Sequence, residues 1–353
     1  MSESILKQPN VRKNVHRVIL TLRQVRNMAD KKTSIIAVMD ILRKYSDEEH
    51  ILSIRDILQK LETIYGLKLE RRTIYNNIDM LEDMGMEISR YEQNGKGYYL
   101  MTRQFEPAEV LYLCNAIHAS NFIPYRQSKD LISKLLDTQS SYQAKEFNDT
   151  VYMPNPRKTQ NQELFLNIEV ISEAIKERKA IRFDYMKYTA EKNLVKRRAN
   201  PYVVEPRYIV YADTRAYMIA TSDHHQGYGH YRIERMKNVH LTEQSVRTLP
   251  KTSDPYEYAR SKLFMYAGQN VSAVLRCDLS ILDQMIDLFG LDISMSPQND
   301  DHVVIRIQAN WEGILFLGQQ YMDAMEILEP ADLREEMIRR MEDRLKTYKS
   351  LEK

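Results

Sequence analysis

Apolar residues at 35, 36, 38, 39, 41 and 42 recur at helical spacing and predict a largely buried helix over SIIAVMDILRKYS. Ser53 then stands where a helix cap belongs, before IRDILQKLETIY, and Gly66 follows as a stop. A third helix, ERRTIYNNIDMLEDMG, carries its apolar stripe on Ile74, Ile78 and Leu81 and ends at Gly85. Its other face offers Arg71, Arg72, Thr73, Tyr75, Asn76 and Asn77. The stretch MEISRYEQNGKGYYLM reads as two short strands around Asn94-Gly95-Lys96-Gly97, a hairpin signal. Three short helices followed by a hairpin is the order of a winged helix-turn-helix. Ahead of it, the basic segment NVHRVILTLRQVRNM reads either as a helix packed on its neighbour or as an arm that touches phosphate.

Beyond residue 103 the pattern changes. FEPAEVLYLCNAIHAS and SKDLISKLLDTQSSY predict two connecting helices, and MPNPRKTQNQE predicts a linker. The helix LFLNIEVISEAIKERK leads into IRFDYMKY, PYVVEP, YIVYA, AYMIATS and HYRIERMKNVHLTE, short β-rich segments that suggest a small barrel. The last hundred residues alternate as β-α-β-β-α-β and a long terminal helix, which is the ferredoxin-like order. The expected fold class is therefore α+β and multidomain. The expected boundaries are residues 1–103 for arm and winged helix, 104–160 for connector and linker, 161–250 for the barrel, and 251–353 for the tail domain.

Net charge over the 353 residues is only +2, which by itself discourages a nucleic-acid reading. Its distribution reverses that. Residues 1–103 hold 18 Lys/Arg against 14 Asp/Glu, and residues 155–250 hold 17 against 11. Residues 104–154 hold 4 against 6, and residues 251–353 hold 12 against 18. Two basic blocks are thus masked by an acidic tail. No stretch approaches the roughly 20 apolar residues of a membrane span. The start MSESILKQPN lacks a secretory core and cleavage site, so the expected location is the cytoplasm. Two cysteines, Cys114 and Cys277, suit neither a disulfide framework nor a four-thiolate zinc site, and no cofactor or metal is expected.

Candidate chemistry follows from these blocks. Arg can read guanine bidentately and Asn can read adenine, so Arg71, Arg72, Thr73, Tyr75 and Asn76 are candidate duplex contacts. Arg90 and Lys96, on or beside the wing, are candidate phosphate contacts. In the barrel block, tyrosines such as Tyr208 and Tyr217 stand beside arginines such as Arg198, Arg232 and Arg235. A stacking face with a hydroxyl, next to a planar bidentate donor, suits a nucleotide, an oligonucleotide or another anion. Catalytic patterns are wanting: there is no Gly-rich phosphate loop, HExxH or GxSxG, the adjacent His224 and His225 read as a solvated turn, and Cys114 reads as a buried structural thiol. The chain is not expected to be an enzyme.

The stretch RRTIYNNIDMLEDMG with GKGYYL, the stretch VVEPRYIVYADTRAYMIATSDHHQGYGHYRIERMKNV, and EILEPADLREEM together resemble the bacterial WYL-domain transcriptional regulators. Pro206, Tyr217, Arg232 and Arg235 match positions of that family's pattern. The naming tripeptide is Ala216-Tyr217-Met218 here, and Glu70, Asn76 and Asn77 replace the common Ser, Arg and Asp of the reading helix. No operator preference is therefore carried over. The resemblance implies a ligand-responsive DNA-binding regulator. It also implies an SH3- or Sm-like WYL barrel that senses nucleotide-like ligands, and a C-terminal extension domain that supports a homodimer. The effector residues expected on this ground are Arg232, Arg235 and Tyr217, with Tyr208 and Arg198. The alternative is an RNA- or single-stranded-DNA-binding accessory protein of a phage-defence system, and a constitutive repressor with a ligand-free barrel is a third reading.

Overall fold

The computed structural model describes residues 33–150, 158–212, 214–223, 225–247, 258, 262–266 and 268–350. The basic segment 1–32, residues 151–157 of the expected linker and His224 lie outside them. The chain divides into two compact units, residues 1–119 with 126–156, and residues 120–125 with 157–353. Among the described residues no helix is long and apolar enough to cross a membrane.

In the first unit, α1 (Ser34–Tyr45) buries Ala37, Val38, Ile41 and Leu42. Helix α2 (Ile54–Lys60) starts at a reciprocal cap in which the Ser53 hydroxyl accepts from Asp56 N–H and the Asp56 carboxylate accepts from Ser53 N–H. It runs on as a π turn, Leu61–Tyr65, and stops at Gly66 with φ 71°. Helix α3 (Arg71–Asp83) turns Ile74, Ile78 and Leu81 onto α1 and α2, closing the core of this unit. Burying this stripe is what orients α3, because its interior carries few strong helix formers.

Two features differ from expectation here. The segment expected as a wing is a pair of two-residue strands, β1 (Ile88–Ser89) and β2 (Tyr99–Leu100), with a helical turn α4 (Tyr91–Asn94) between them. The turn forms because the Gln93 side chain accepts from Arg90 N–H at 2.8 Å and Gly95 closes it at φ 68°. The connector holds three helices rather than two: α5 (Pro107–Ala119), α6 (Tyr125–Leu136) and α7 (Ser141–Thr150). Helix α7 is poor in apolar residues, so periodicity hides it, but Ser140 caps it by accepting from Gln143 N–H at 3.1 Å. Cys114, on the inner side of α5, is buried, and burial pushes its thiol pKa up.

In the second unit, α8 (Leu164–Glu177) lies on a curled antiparallel sheet of β3 (Lys179–Tyr188), β4 (Leu194–Lys196), β5 (Tyr202–Ala212), β6 (Arg215–Ser222), β7 (His225–Arg232) and β8 (Met236–Ser245). Strand β3 is the hub and pairs with β4, β5 and β8, while β6 and β7 continue from β5. The segments PYVVEP and YIVYA, expected as two strands, form the single strand β5 with a bulge between Pro206 and Tyr208. Proline has no N–H for the ladder, and a bulge tolerates that loss. The stretch HYRIERMKNVHLTE is instead divided by a 3-10 turn at Ile233–Arg235. Buried amides fix that turn: Asn161 donates to the carbonyls of Glu234 and Met236 at 3.0 and 2.7 Å, and Asn167 donates to Met236 at 2.8 Å. Exposed β4 gave no alternation to read.

The tail holds β9 (Asn270–Asp278), α9 (Leu282–Phe289), β10 (Ser294–Pro297), β11 (His302–Asn310), α10 (Trp311–Gln320), β12 (Met325–Glu329) and α11 (Ala331–Ser350). Its sheet is antiparallel in the order β10-β11-β9-β12. Leu275, Ile305, Ile314, Leu315, Leu317 and Leu333 fill the core beneath it.

Candidate nucleic-acid interface and ligand face

Helix α3 begins abruptly. Glu70 is extended (ψ 152°) and gives no side-chain cap, so the first turn opens directly into Arg71 and Arg72. Both arginines and Asn76 are exposed, and none makes a hydrogen bond or ion pair among the described residues. Thr73 is half-buried, and Tyr75 is exposed with its ring tilted against Tyr98 at 6.3 Å. Asn77 does not belong to this face. It is buried and its amide donates to Ser34 Oγ at 3.0 Å, because a position three residues after Ile74 falls on the core side.

The wing residues separate. Arg90 Nε lies 3.1 and 3.0 Å from the Glu82 carboxylate oxygens, and its terminal nitrogen meets Glu82 and Asp79. The Glu82 hydrogen bond, then Asp79, raises the Arg90 pKa. Arg90 therefore ties the wing to α3 and is neutralised by doing so. Lys96 instead sits exposed at the tip. Its backbone N–H and that of Gly97 bond Asn94 Oδ1 at 2.7 and 2.9 Å, leaving the ammonium without an ion pair among the described residues.

One supporting cluster was not foreseen. Asp47 accepts from Ser140 Oγ at 2.5 Å and from His50 N–H at 2.8 Å, and His50 stacks on Tyr142 at 3.6 Å. Burial raises the Asp47 pKa, but the bonds from Ser140 and His50 outweigh it and hold the carboxyl below its ordinary value. Arg103 donates to the carbonyls of Arg43, Ser46 and Thr138 at 2.8, 2.6 and 3.3 Å. These polar residues are distant in sequence, so no local signal points to them. A cavity of about 390 Å³ lies beside them. Its carboxylates, Asp47, Glu48, Glu49, Glu106 and Glu146, make it a poor place for an anion.

In the second unit, pairing of Tyr217 with Val210 and Arg232, and of Ile219 with Tyr208 and His230, puts all six on one face of β5-β6-β7. Three of the five expected effector residues, Tyr208, Tyr217 and Arg232, are therefore neighbours. The other two lie apart. Arg198 lies 3.6 Å over the Tyr202 ring, itself part of a quartet with Phe183, Tyr185 and Tyr231 in which every pair is in contact at 5.3–6.2 Å. Arg235 faces the Tyr188 ring at 5.8 Å, with its buried Nε lacking a hydrogen-bond partner. Arg232 Nε donates to the buried Glu234 at 2.6 Å, while the other Glu234 oxygen has no partner. Glu205 and Arg207, which the sequence reading left aside, are structural. Burial raises the Glu205 pKa, yet Thr221 and Arg247 hold it low.

The face of Tyr208 and Tyr217 is covered by the chain itself. Met265 packs into the cluster of Tyr217 and Ile219, and Tyr208, Tyr228 and Tyr258 surround it. Two residues earlier, Leu263 enters the tail core. Between them Phe264 meets Phe316 edge to face, with ring centroids 4.8 Å apart. Phe264 and Met265 both take φ 53°, a left-handed conformation costing about 1–3 kcal/mol for a residue with a side chain. Gly313 makes room, since a Cβ there would come within 2.6 Å of Leu263 Cβ. This strap is pinned by His230. Nδ1 lies 2.7 Å from the Met265 carbonyl, which can only accept, so Nδ1 carries the proton and Nε2 accepts from Tyr258 OH at 2.8 Å.

Burial, with Lys262 adding to it, holds the His230 pKa below its ordinary value despite the Met265 carbonyl. A histidine with a depressed folded pKa stabilises fully above its unfolded value, about 6.5, and loses that contribution as pH falls below it. The protection of amides at residues 262–266, taken relative to the intrinsic exchange rate at each pH, should therefore fall on acidification from neutrality. His230→Asn should remove most of that dependence, and a pH-independent wild type would contradict it.

Residues 167–241 match the model of the WYL domain, so the second unit contains a WYL domain. No curated protein matches the chain. Among solved structures the chain is similar to proteasome accessory factor B/C (PafBC) of Arthrobacter aurescens, at 14% identity and a TM-score of 0.27, over 88% of this chain and 47% of that one. The chain thus spans about half the length of that relative. It is also similar to a CRISPR Cas-related protein, at 14% identity and a TM-score of 0.35, over 95% of this chain and 92% of that one.

Proposed function

We propose that this chain is a non-enzymatic, cytoplasmic transcriptional regulator. In this reading α3 and the wing form a winged helix-turn-helix that binds duplex DNA, and the WYL domain, an SH3- or Sm-like barrel, senses an anionic effector. The tail is a ferredoxin-like extension domain, and the working form is a homodimer. The observation that carries the reading is the state of Arg71, Arg72, Asn76 and Lys96. Cations and amides are exposed and unpaired among the described residues at one helix end and one wing tip, while the opposite face of the same helix is core. A helix that opens on unpaired donors suits the major groove, and a wing cation suits phosphate. Mobility shifts with the duplex upstream of its own gene, against each single strand, test it. Preference for single strands would overturn it in favour of an RNA- or single-stranded-DNA-binding accessory role.

The same reading extends to the effector step. A ligand reaching Tyr208, Tyr217 and Arg232 meets Met265, so binding must compete with the strap and thereby acts on the tail. Such a ligand shifts the protein only by its differential affinity for the strapped and released forms. Replacing Arg232 by Ala would leave the buried Glu234 carboxylate unpaired, so Arg232→Gln with Glu234→Gln is the cleaner variant. A panel of nucleoside phosphates and short oligonucleotides should raise the melting temperature of the wild type and not of this variant. Equal shifts for both would remove Arg232 from the ligand site.

A further inference from the structure

Helix α11 has two faces with different fates. Leu333 and Met337 are buried in the tail core, and Met337 lies so close to Gly318 that a Cβ there would collide with it. Past Arg340, which still pairs with Glu312 of α10, every residue from 341 to 350 is exposed. Along this end of the helix Ile338, Met341, Leu345 and Tyr348 are 49, 37, 54 and 72% exposed. Their spacing of three, four and three is that of a coiled-coil seam. A helical end of this length is marginal when it stands alone in water.

The charges around it divide in the same way. On the side away from the seam, Arg339 pairs with Glu336 and Asp343, Arg340 with Glu336 and Glu312, and Lys346 with Asp343. Beside the seam stand Glu335, Glu342, Arg344 and Lys349, and none of these makes an ion pair among the described residues. The two ends also differ in sign. Residues 331–343 carry five acids and three bases, while residues 344–350 carry three bases and no acid.

We propose that α11 binds α11 of a second copy of this chain, antiparallel, through this seam. Antiparallel alignment lays the basic end of each helix on the acidic half of the other. Ile338 then meets the partner's Tyr348, Met341 meets the partner's Leu345, and Glu335 comes beside the partner's Lys349. Parallel alignment would set Arg344 against the partner's Lys349. Antiparallel alignment brings Glu342 and Arg344 beside their own copies at the centre, so the orientation rests on the opposite charges of the helix ends, Glu335 with the partner's Lys349. The proposal gives the homodimer of the preceding reading a surface and an orientation. It stands whether or not α3 reads DNA.

Sedimentation velocity of the full chain is the test. The wild type should be dimeric at tens of micromolar, and Met341→Glu with Leu345→Glu should weaken the dimer about tenfold or more, each buried charge costing well above the ~1.4 kcal/mol that this represents. Both positions are exposed in the single chain, so thermal unfolding of the variant should match the wild type at concentrations low enough for both to be monomeric. Cys114 and Cys277 are buried, which leaves an introduced thiol as the reactive one among the described residues. Met341→Cys protein mixed with Leu345→Cys protein should form a disulfide-linked dimer faster than Leu345→Cys protein alone. A monomeric wild type, a variant dimer of unchanged strength, or faster linking of Leu345→Cys alone would overturn the proposal. A mobility shift measured in parallel reads the DNA assignment separately.

Discussion

Replacing Arg71 and Arg72 together by alanine is expected to weaken duplex binding by about two orders of magnitude or more, since each bidentate base contact is worth about 1–3 kcal/mol. Both side chains are exposed and make no ion pair among the described residues, so the folded state loses no contact with them. Stability should stay within about 0.5 kcal/mol of the wild type. The slope of binding against salt separates two roles. If the arginines meet phosphate, affinity falls evenly across sequences and the slope drops by about 0.9 per contact. If they meet bases, discrimination at particular base pairs relaxes. Lys96→Ala should show the phosphate pattern with a smaller loss. Arg90→Ala should behave differently, lowering stability with little change in the salt slope, because Glu82 and Asp79 already neutralise it. A doubly substituted protein that shifts its promoter duplex as the wild type does would sink the assignment of α3 as the reading helix.

The second large effect is expected at Gly97. A Cβ there would lie 2.3 Å from the Leu52 carbonyl oxygen and 2.8 Å from its carbon, both backbone atoms that cannot step aside. Leu52 and Tyr98 exchange hydrogen bonds of 2.9 and 2.8 Å at this point and hold the wing to the segment before α2. Gly97→Ala should cost about 3 kcal/mol, from overpacking of about 1–3 kcal/mol with about 1 kcal/mol for each hydrogen bond weakened. Gly95 is the internal comparison. It has φ 68° and open space around it, so Gly95→Ala meets only backbone strain, about 1–2 kcal/mol. Denaturant unfolding of the two variants checks the order. Equal stabilities would show that the wing is not clamped at Leu52.

Local patterns carried much of the architecture and less of the chemistry. Ile74, Ile78 and Leu81 repeat at helical spacing and are buried, so the exposed face of α3 was visible as their complement. Asn77 shows the limit, since a polar residue on the core side looks the same in sequence as one facing solvent. Helix α7 was missed because a serine cap, rather than apolar periodicity, starts it. Tyr208 and Tyr217 were singled out for their chemistry, and Met265, which covers them, lies outside the stretch that suggested a ligand site. Arg90 and Lys96 differ only in what they face, two carboxylates on α3 or solvent.

The sequence by itself determined most of the elements and their order, α4, α7 and β4 excepted, because helix periodicity, strand composition and turn residues act over a few neighbours in the chain. It also set the placement of charge, two basic blocks offset by an acidic tail that a net charge of +2 conceals. The tertiary structure decided which of those charges are available. Arg90 and Arg232 are held by carboxylates, while Arg71, Arg72 and Lys96 make no ion pair among the described residues. It also decided which apolar residues stay uncovered, burying Met337 and leaving Met341 and Leu345 bare on the same helix. Pairing and burial depend on residues far apart in the chain, and no local pattern records where those residues meet.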